Sequence, residues 1–391
     1  MAMYSLIATT AFGLEAVVAR ELQQLGYETK SSNGYVEFSG DESAIVRANL
    51  WLRTADRILI KMGQFHADTF DSLFEQTKAL PWADLLPKDA RFPVEGRSVK
   101  SQLASVRASQ SIVKKAIVES LRKTYKMDEY PETGSRYGIE VSIQKDEAML
   151  TIDTSGTALH KRGYRKLSSE APIKETLAAA LVLLSRWQPH RPFADPMCGS
   201  GTIAIEAALI AQNAAPGLKR DFDAEHWPII TPELWNQLRA QAHALIRGDI
   251  EVDMFAGDVN PEVLSLAEYH VRQAGVGKLV RIAKQNVTAF RPENSYGCIV
   301  TNPPYGERMG EARETHELYM NMGRTLRALD TWSVFVITSD PSFEKHYGKP
   351  ADKKRKLYNG RIQTNFYQYL GPLPPRKKPE LDESVSGKEE R

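Results

Sequence analysis

The sequence predicts a two-part α/β protein. An α+β region comes first, then a parallel sheet covered by helices on both faces and finished by an antiparallel hairpin. Three observations predict this. From Ala171 onward, short and nearly continuous apolar runs alternate with helical patterns, as strands buried on both faces require. Before that point, strands alternate polar with apolar residues and stand between amphipathic helices. Near the end, Asn359-Gly360 separates two β-rich runs and signals a type I′ hairpin turn.

The elements follow in order. Tyr4-Ser5-Leu6-Ile7-Ala8-Thr9 is a β-rich run, and Leu14, Val17, Val18, Leu22 and Leu25 then recur at helical spacing until Gly26. Tyr35-Val36-Glu37-Phe38 alternates as a strand should, and Asp41 is placed to cap the helix holding Ile45, Val46 and Leu50. A second α/β region spans about 58–152, with a basic amphipathic helix over Ser109–Tyr125 and strands at Tyr137–Ile143 and Ala148–Ile152. Ser155–Ser169 reads as a linker, with Gly156, Gly163 and five basic residues if His160 is counted. Strands are then expected at Pro192–Met197, Val252–Asp258, Val280–Asn286, Cys298–Asn302 and Trp332–Ser339. Helices are expected at Thr202–Gln212, Pro261–Ala274 and Glu314–Ala328. Lys356-Leu357-Tyr358 and Ile362–Leu370 form the hairpin, and a proline-rich, charged tail closes the chain.

Composition excludes several classes. The chain has 391 residues, 42% hydrophobic and 26% charged, so two or three domains are expected and wholesale disorder is not. The longest purely apolar run, Leu177–Leu184, is far too short to span a bilayer, and no signal peptide is evident. Two cysteines, Cys198 and Cys298, cannot make a disulfide framework, and the eight histidines show no metal-ligand spacing. A reducing, cytoplasmic setting without metal or membrane is expected. Net charge is only +2 but uneven. Arg91–Lys126 holds nine Lys/Arg against Glu95 and Glu119, and Lys345–Arg361 holds seven against Asp352, read here as a basic loop. Such patches suit a polyanion, though a solvated helix face has the same composition.

Three motifs carry chemistry. Asp195-Pro196-Met197-Cys198-Gly199-Ser200-Gly201-Thr202 follows a strand and opens a helix. Its glycines allow close backbone approach, and the helix N-terminus offers unpaired N–H groups to an anionic ligand. Asp195 could meet an ammonium group. The loop is neither a P-loop nor a G-x-G-x-x-G fingerprint. Asp258 ends the next strand, where an acid commonly holds ribose hydroxyls, because Asn260 before Pro261 is the better helix cap. About sixty residues separate Gly199 from Asp258, so Ala214–Glu251, with Trp227 and Trp235, must be an insertion. The third motif, Asn302-Pro303-Pro304-Tyr305-Gly306, ends a buried strand. Two prolines stiffen an extended turn that presents carbonyl acceptors beside Asn302, and Tyr305 offers a ring to stack on a base.

These residues resemble class I S-adenosylmethionine-dependent methyltransferases that act on amines. More closely, the chain is similar to the THUMP-containing guanine-N2 RNA methyltransferases related to the bacterial large-subunit rRNA enzyme. Phe92–Tyr125, Leu159–Arg165, the run from Ala171 to Ala179 and Tyr358-Asn359-Gly360 support the likeness. The resemblance implies a ferredoxin-like part over 1–60, a THUMP domain over 61–155, a linker over 156–170, a Rossmann-like methyltransferase over 171–372 and a disordered tail over 373–391. Some members carry a second fused methyltransferase, which is not expected at this length.

Carried onto this chain, the resemblance implies that Asp195, Pro196, Cys198, Gly199, Ser200 and Gly201 bind the methionine part of S-adenosylmethionine. Asp258 would hold its ribose. Asn286 stands where an acid usually meets the adenine amine, and its carbonyl could accept that bond without charge assistance. Asn302, Pro303, Pro304 and Tyr305 would present a guanine N2 amine of RNA. 23S rRNA is the first substrate expected and tRNA the second. Adenine-N6 methylation, glutamine methylation in a protein and a non-catalytic RNA-binding assembly factor are the alternatives. Cys198 and Cys298, with no histidine nearby in sequence, read as buried residues rather than nucleophiles. Arg308 reads as exposed.

Overall fold

The computed structural model describes residues 2–167, 173–306 and 311–375. Arg308, the end of the expected linker and most of the tail lie outside the described residues. Two seven-stranded sheets carry the described chain. The first contains β1 (Tyr4–Thr9), β2 (Thr29–Ser32), β3 (Tyr35–Gly40), β4 (Arg57–His66), β5 (Val94–Val99), β6 (Gly138–Gln144) and β7 (Glu147–Asp153), in the order β2-β3-β1-β4-β7-β6-β5. Its middle strand serves two halves. Arg57–Ile60 of β4 pair with β1, and Leu59–His66 pair with β7 across a bulge between Lys61 and Gly63. The boundary expected at residue 60 therefore falls inside a strand. Asp41 caps its helix as expected, its Oδ1 accepting from the Ala44 N–H at 3.2 Å.

The second sheet contains β8 (Phe193–Asp195), β9 (Met254–Asp258), β10 (Val280–Lys284), β11 (Cys298–Thr301), β12 (Ser333–Thr338), β13 (Lys353–Asn359) and β14 (Ile362–Tyr369). Their order is β10-β9-β8-β11-β12-β14-β13, with β8 to β12 parallel and β14 antiparallel to both neighbours. Each expected strand is present but trimmed at its ends, where the chain turns into loops. Strand order reverses between β8 and β11, the switch point outside which α/β sheets bind ligands. The Thr202–Ala211 and Pro261–Ala274 helices cover one face. The Glu311–Leu326 and Phe343–Tyr347 helices cover the other.

Two readings of the C-terminal hairpin need correction. Asn359 pairs with Ile362, so Gly360-Arg361 form the turn, and of these only Gly360 has positive φ (63°). Glycine first with a negative φ after it is the type II′ pattern, not I′. The basic stretch read as a loop is the Phe343–Tyr347 helix and the edge strand β13. An edge strand rich in lysine resists pairing with other chains, which gives that charge a structural use.

Up to Leu167, where its described part ends, the segment expected as a linker is pinned to both halves by Arg162, Tyr164 and Arg165. Arg162 is 4% exposed. Its guanidinium donates to the Arg53 and Leu159 carbonyls and lies 3.5 Å from Glu206, which also accepts from the Tyr164 hydroxyl at 3.1 Å. Arg165 reaches Thr202 Oγ1 at 2.7 Å and pairs with Glu175. The insertion also joins the halves. Trp227 stacks on Tyr137 of the first half (4.4 Å, 13°), its Nε1 donates to the Arg136 carbonyl, and Phe222, Trp235 and Leu238 complete the N-terminal core. One helix, Glu15–Gln24, contributes Val17 to the methyltransferase core and Val18 and Leu22 to the other.

Candidate active site

The C-terminal ends of β8, β9 and β11 bring the first three motifs together. Asp195, the last residue of β8, is 1% exposed, and its Oδ1 accepts from Thr301 Oγ1 at 2.7 Å and from the Met197 N–H at 3.3 Å. Burial is the main reason its carboxyl is pushed up to about 7, and the nearby Asp258 charge acts in the same direction. The Thr301 bond ties the first motif to the third, because Thr301 immediately precedes Asn302.

The loop itself is built to approach a ligand. Gly199 (φ 53°) and Gly201 (φ 81°) are left-handed, and a Cβ on Gly199 would project into open space. A Cβ on Gly201 would lie 3.3 Å from Ala267, so glycine there also lets the helices pack. The Gly199 N–H donates to Asp258 Oδ2 at 3.0 Å and the Cys198 N–H to the Gly257 carbonyl at 2.8 Å, fixing the loop to β9. Gly201 caps the Thr202–Ala211 helix without a side-chain acceptor, so its N-terminal N–H groups face the loop. Asn260 caps the Pro261–Ala274 helix as expected, accepting from Glu262 at 2.9 Å, which leaves Asp258 to the loop.

Asn286 departs from expectation. Its Oδ1 accepts from both the Thr288 N–H and Thr288 Oγ1, each at 2.9 Å, as the cap of a short helix. A carbonyl oxygen has two lone pairs, and both are engaged here. The cysteines are buried, and burial raises both thiols, Cys198 far above the thiol range and Cys298 to about 12. Neither is a nucleophile in this environment.

The Asn302 turn is held from both ends. The Tyr305 hydroxyl donates to Asn302 Oδ1 at 2.7 Å, and the Tyr319 hydroxyl donates to the Pro304 carbonyl at 2.7 Å and contacts Thr338 Oγ1 at 2.9 Å. Pro303 is buried and Pro304 exposed. Sequence reasoning missed Tyr319, whose place in the apolar period of its helix reads simply as core. It also missed His270, which is fully buried with its ring nitrogens 3.2 Å from the Ser200 carbonyl and 3.1 Å from the Leu167 carbonyl. Among the described residues no cluster of His, Cys, Asp or Glu could hold a metal ion, and no helix is long and apolar enough to cross a membrane.

A glycine loop leading into an uncapped helix, an acid ending each flanking strand, and a rigid Asn-Pro-Pro-Tyr turn on the neighbouring strand define a class I S-adenosylmethionine-dependent methyltransferase. Residues 162–368 match the family described as RMKL-like, methyltransferase domain. Residues 5–59 match the RlmL ferredoxin-like domain and 67–153 the THUMP domain. The chain belongs to this family of THUMP-bearing, RlmL-like methyltransferases. It is 52% identical over 380 residues, 97% of this chain and 99% of the other, to the Bacillus subtilis (strain 168) protein named "Putative RNA methyltransferase YpsC". A Listeria monocytogenes crystal structure described as "a predicted N6-adenine-specific DNA methylase" is 52% identical, with TM-score 0.91 over 95% of this chain and 97% of that one. One described as "SMU.472, a putative methyltransferase complexed with SAH" is 43% identical, with TM-score 0.92 over 96% of this chain and all of that one.

Proposed function

We propose that this protein methylates the exocyclic N2 amine of a guanine in structured RNA, with 23S rRNA the first candidate. The observation that carries the reading is the adjacency of β8 and β11. The acceptors of the Asn302 turn stand beside the cofactor loop, joined to it by the Thr301–Asp195 hydrogen bond. The THUMP domain and the similarity to a protein named as an RNA methyltransferase support RNA as substrate. So do the exposed Arg91, Lys100, Arg107, Lys115, Lys123 and Lys126, whereas Arg97 is exposed but paired with Glu140, and Lys114 and Arg122 are half-buried and paired with acids.

The cofactor fits the residues present. Gly199 leaves room for a close ligand, the bare helix N-terminus suits its carboxylate, Asp195 its ammonium and Asp258 its ribose hydroxyls. With Asn286 engaged in its cap, this reading gives it only a neighbouring role at the adenine. Bound here, S-adenosylmethionine supplies an electrophilic methyl group on a sulfonium.

The chain's own part is orientation. A guanine N2 lone pair is delocalised into the ring and is a poor nucleophile. Asn302 Oδ1 and the Pro303 carbonyl accept its two N–H bonds, turning the lone pair out of conjugation and toward the donor. The Pro304 carbonyl is already taken by Tyr319. Asn302 Oδ1 has a second lone pair beyond the one Tyr305 occupies. Tyr305 offers its ring to an unstacked base. Alignment matters more than a strong base, and once the nitrogen carries the methyl its extra proton passes to solvent water.

Adenine-N6 methylation is the second reading, because the same turn serves either amine and one similar structure carries that description. Nucleoside mass spectrometry of separated rRNA and tRNA, from cells with and without the gene, decides between them. Loss of N2-methylguanosine from the rRNA fraction supports the proposal, and loss from tRNA moves only the substrate. Loss of N6-methyladenosine instead overturns the base assignment. Complementation with Asn302→Ala is expected to restore at most about 1% of the modification rate, since removing one preorganised polar contact typically costs ~100-fold or more. Full restoration would exclude Asn302 from the reaction.

A further inference from the structure

The hairpin of β13 and β14 reaches past the rest of its sheet on the active-site edge. Thr338, the last residue of β12, pairs with Asn365, so Thr364–Ile362 and their partners Leu357–Asn359 overhang it. Three further residue pairs extend the hairpin about 10 Å beyond β12. Asn302 follows β11, and from β11 to β13 is three strand spacings, roughly 14 Å. The tip thus stands beside the site, on the side where the N-terminal half meets the methyltransferase.

Two apolar side chains stay largely open to solvent at this tip and the loop beside it. Phe12 is 57% exposed and Ile362 38% exposed. Phe12 sits on Gly34 and meets the Tyr358 ring edge-on, with centroids 6.3 Å apart. The loop that carries Phe12 is rigid. Glu15 accepts from the N–H groups of Gly13 and Gly34 at 2.9 Å each, and Arg355 donates to the Gly13 carbonyl at 3.3 Å. Gly13 has φ 91°, and any Cβ would lie 2.8 Å from the Lys356 carbonyl, so only glycine allows this seating. Lys356 and, in the hairpin turn, Arg361 are exposed, and the Lys356 ammonium lies 5.6 Å from the Tyr358 ring centre.

We propose that Phe12 and Tyr358 form a stacking platform for nucleotides flanking the target base, with Lys356 and Arg361 meeting their phosphates. An exposed ring, Phe12, braced by the half-buried ring of Tyr358 and set near a lysine, gives the stacking surface and positive charge that single-stranded nucleic acid uses. A platform assembled from both halves would also explain why the loop 11–14 is fixed so firmly to β13. The inference rests on RNA being the substrate.

The test uses the full-length protein, with bulk rRNA and bulk tRNA from cells lacking the gene as probes. Phe12→Ala combined with Tyr358→Ala is expected to weaken RNA binding at least tenfold, with S-adenosylmethionine affinity and melting temperature unchanged. Phe12→Tyr is expected to restore most of it. Lys356→Ala with Arg361→Ala is expected to reduce the salt dependence of binding, which the aromatic pair leaves alone. If the wild type binds RNA and the aromatic variant binds equally well, the platform is overturned while the methylation reading stands. If the wild type binds neither RNA, both fall. Parallel losses of melting temperature and cofactor affinity would mean that the rings serve folding, and would overturn the platform as well.

Discussion

Asp195 is the residue whose environment does most to set behaviour. It ends a strand with its carboxyl removed from water, and burial holds its pKa near 7. An acid whose folded pKa lies above its unfolded value binds the proton more tightly when folded. Stability from this group is therefore present at low pH and is lost as pH rises from about 4 through about 7. An ammonium partner favours the ionised form, so cofactor binding should move the opposite way. By calorimetry, affinity for S-adenosylmethionine is expected to rise with pH up to about 7 and then level off, and Asp195→Asn should flatten the curve. A wild-type affinity independent of pH between 5.5 and 8.5 would remove Asp195 as the ammonium's partner.

At the scale of elements, the Glu311–Leu326 helix does more than cover the sheet. Thr315, Tyr319, Met322 and Leu326 form its buried stripe, and Tyr319 uses its hydroxyl to hold the Pro304 carbonyl against β12. Tyr319→Phe keeps the ring and loses the bond. A neutral hydrogen bond is worth ~1 kcal/mol. Turnover is expected to fall about tenfold at unchanged cofactor affinity, read from single-turnover rates. An unchanged rate would show that prolines alone set the turn. The stripe is legible in sequence as a helical period, but the partner of the hydroxyl is not, since it lies fifteen residues away across a turn. The hairpin offers the same lesson. Asn359-Gly360 marks it correctly, yet pairing with β12 and β14 shifts the turn by one residue to Gly360-Arg361.

At the scale of the whole molecule, buried contacts join the two halves. Arg162, Glu206 and Tyr164 are all 4% exposed or less, and the Thr202–Ala211 helix that carries Glu206 also begins at the Asp195–Gly201 loop. Trp227 belongs to the methyltransferase insertion but is buried against the first half. Trp227→Ala is expected to cost about 3–5 kcal/mol, as large aromatic truncations in cores do. In denaturant, the wild type should unfold in one transition and the variant in two, one for each half. A single unshifted transition would contradict this joining of the halves.

The sequence by itself determined the five parallel strands and closing hairpin of the second sheet, the Asp195–Gly201 loop, Asp258 at the end of its strand and the Asn302–Tyr305 turn, but not the strands Thr29–Ser32, Arg57–His66 and Val94–Val99 of the first sheet. Those features rest on local periodicity, capping and the restricted backbone of glycine and proline, which neighbouring residues encode. Tertiary structure alone decided that Leu159, Arg162 and Tyr164 are buried between the halves, and that Trp227 belongs to the core of the other half. It also decided that Asn286 spends its carbonyl on a cap and that Phe12 and Tyr358 meet at the end of the β13–β14 hairpin. Each of these depends on which distant groups satisfy a buried charge, a ring face or a lone pair. Such pairings are made between residues as far apart as Phe12 and Tyr358, and no local pattern records them.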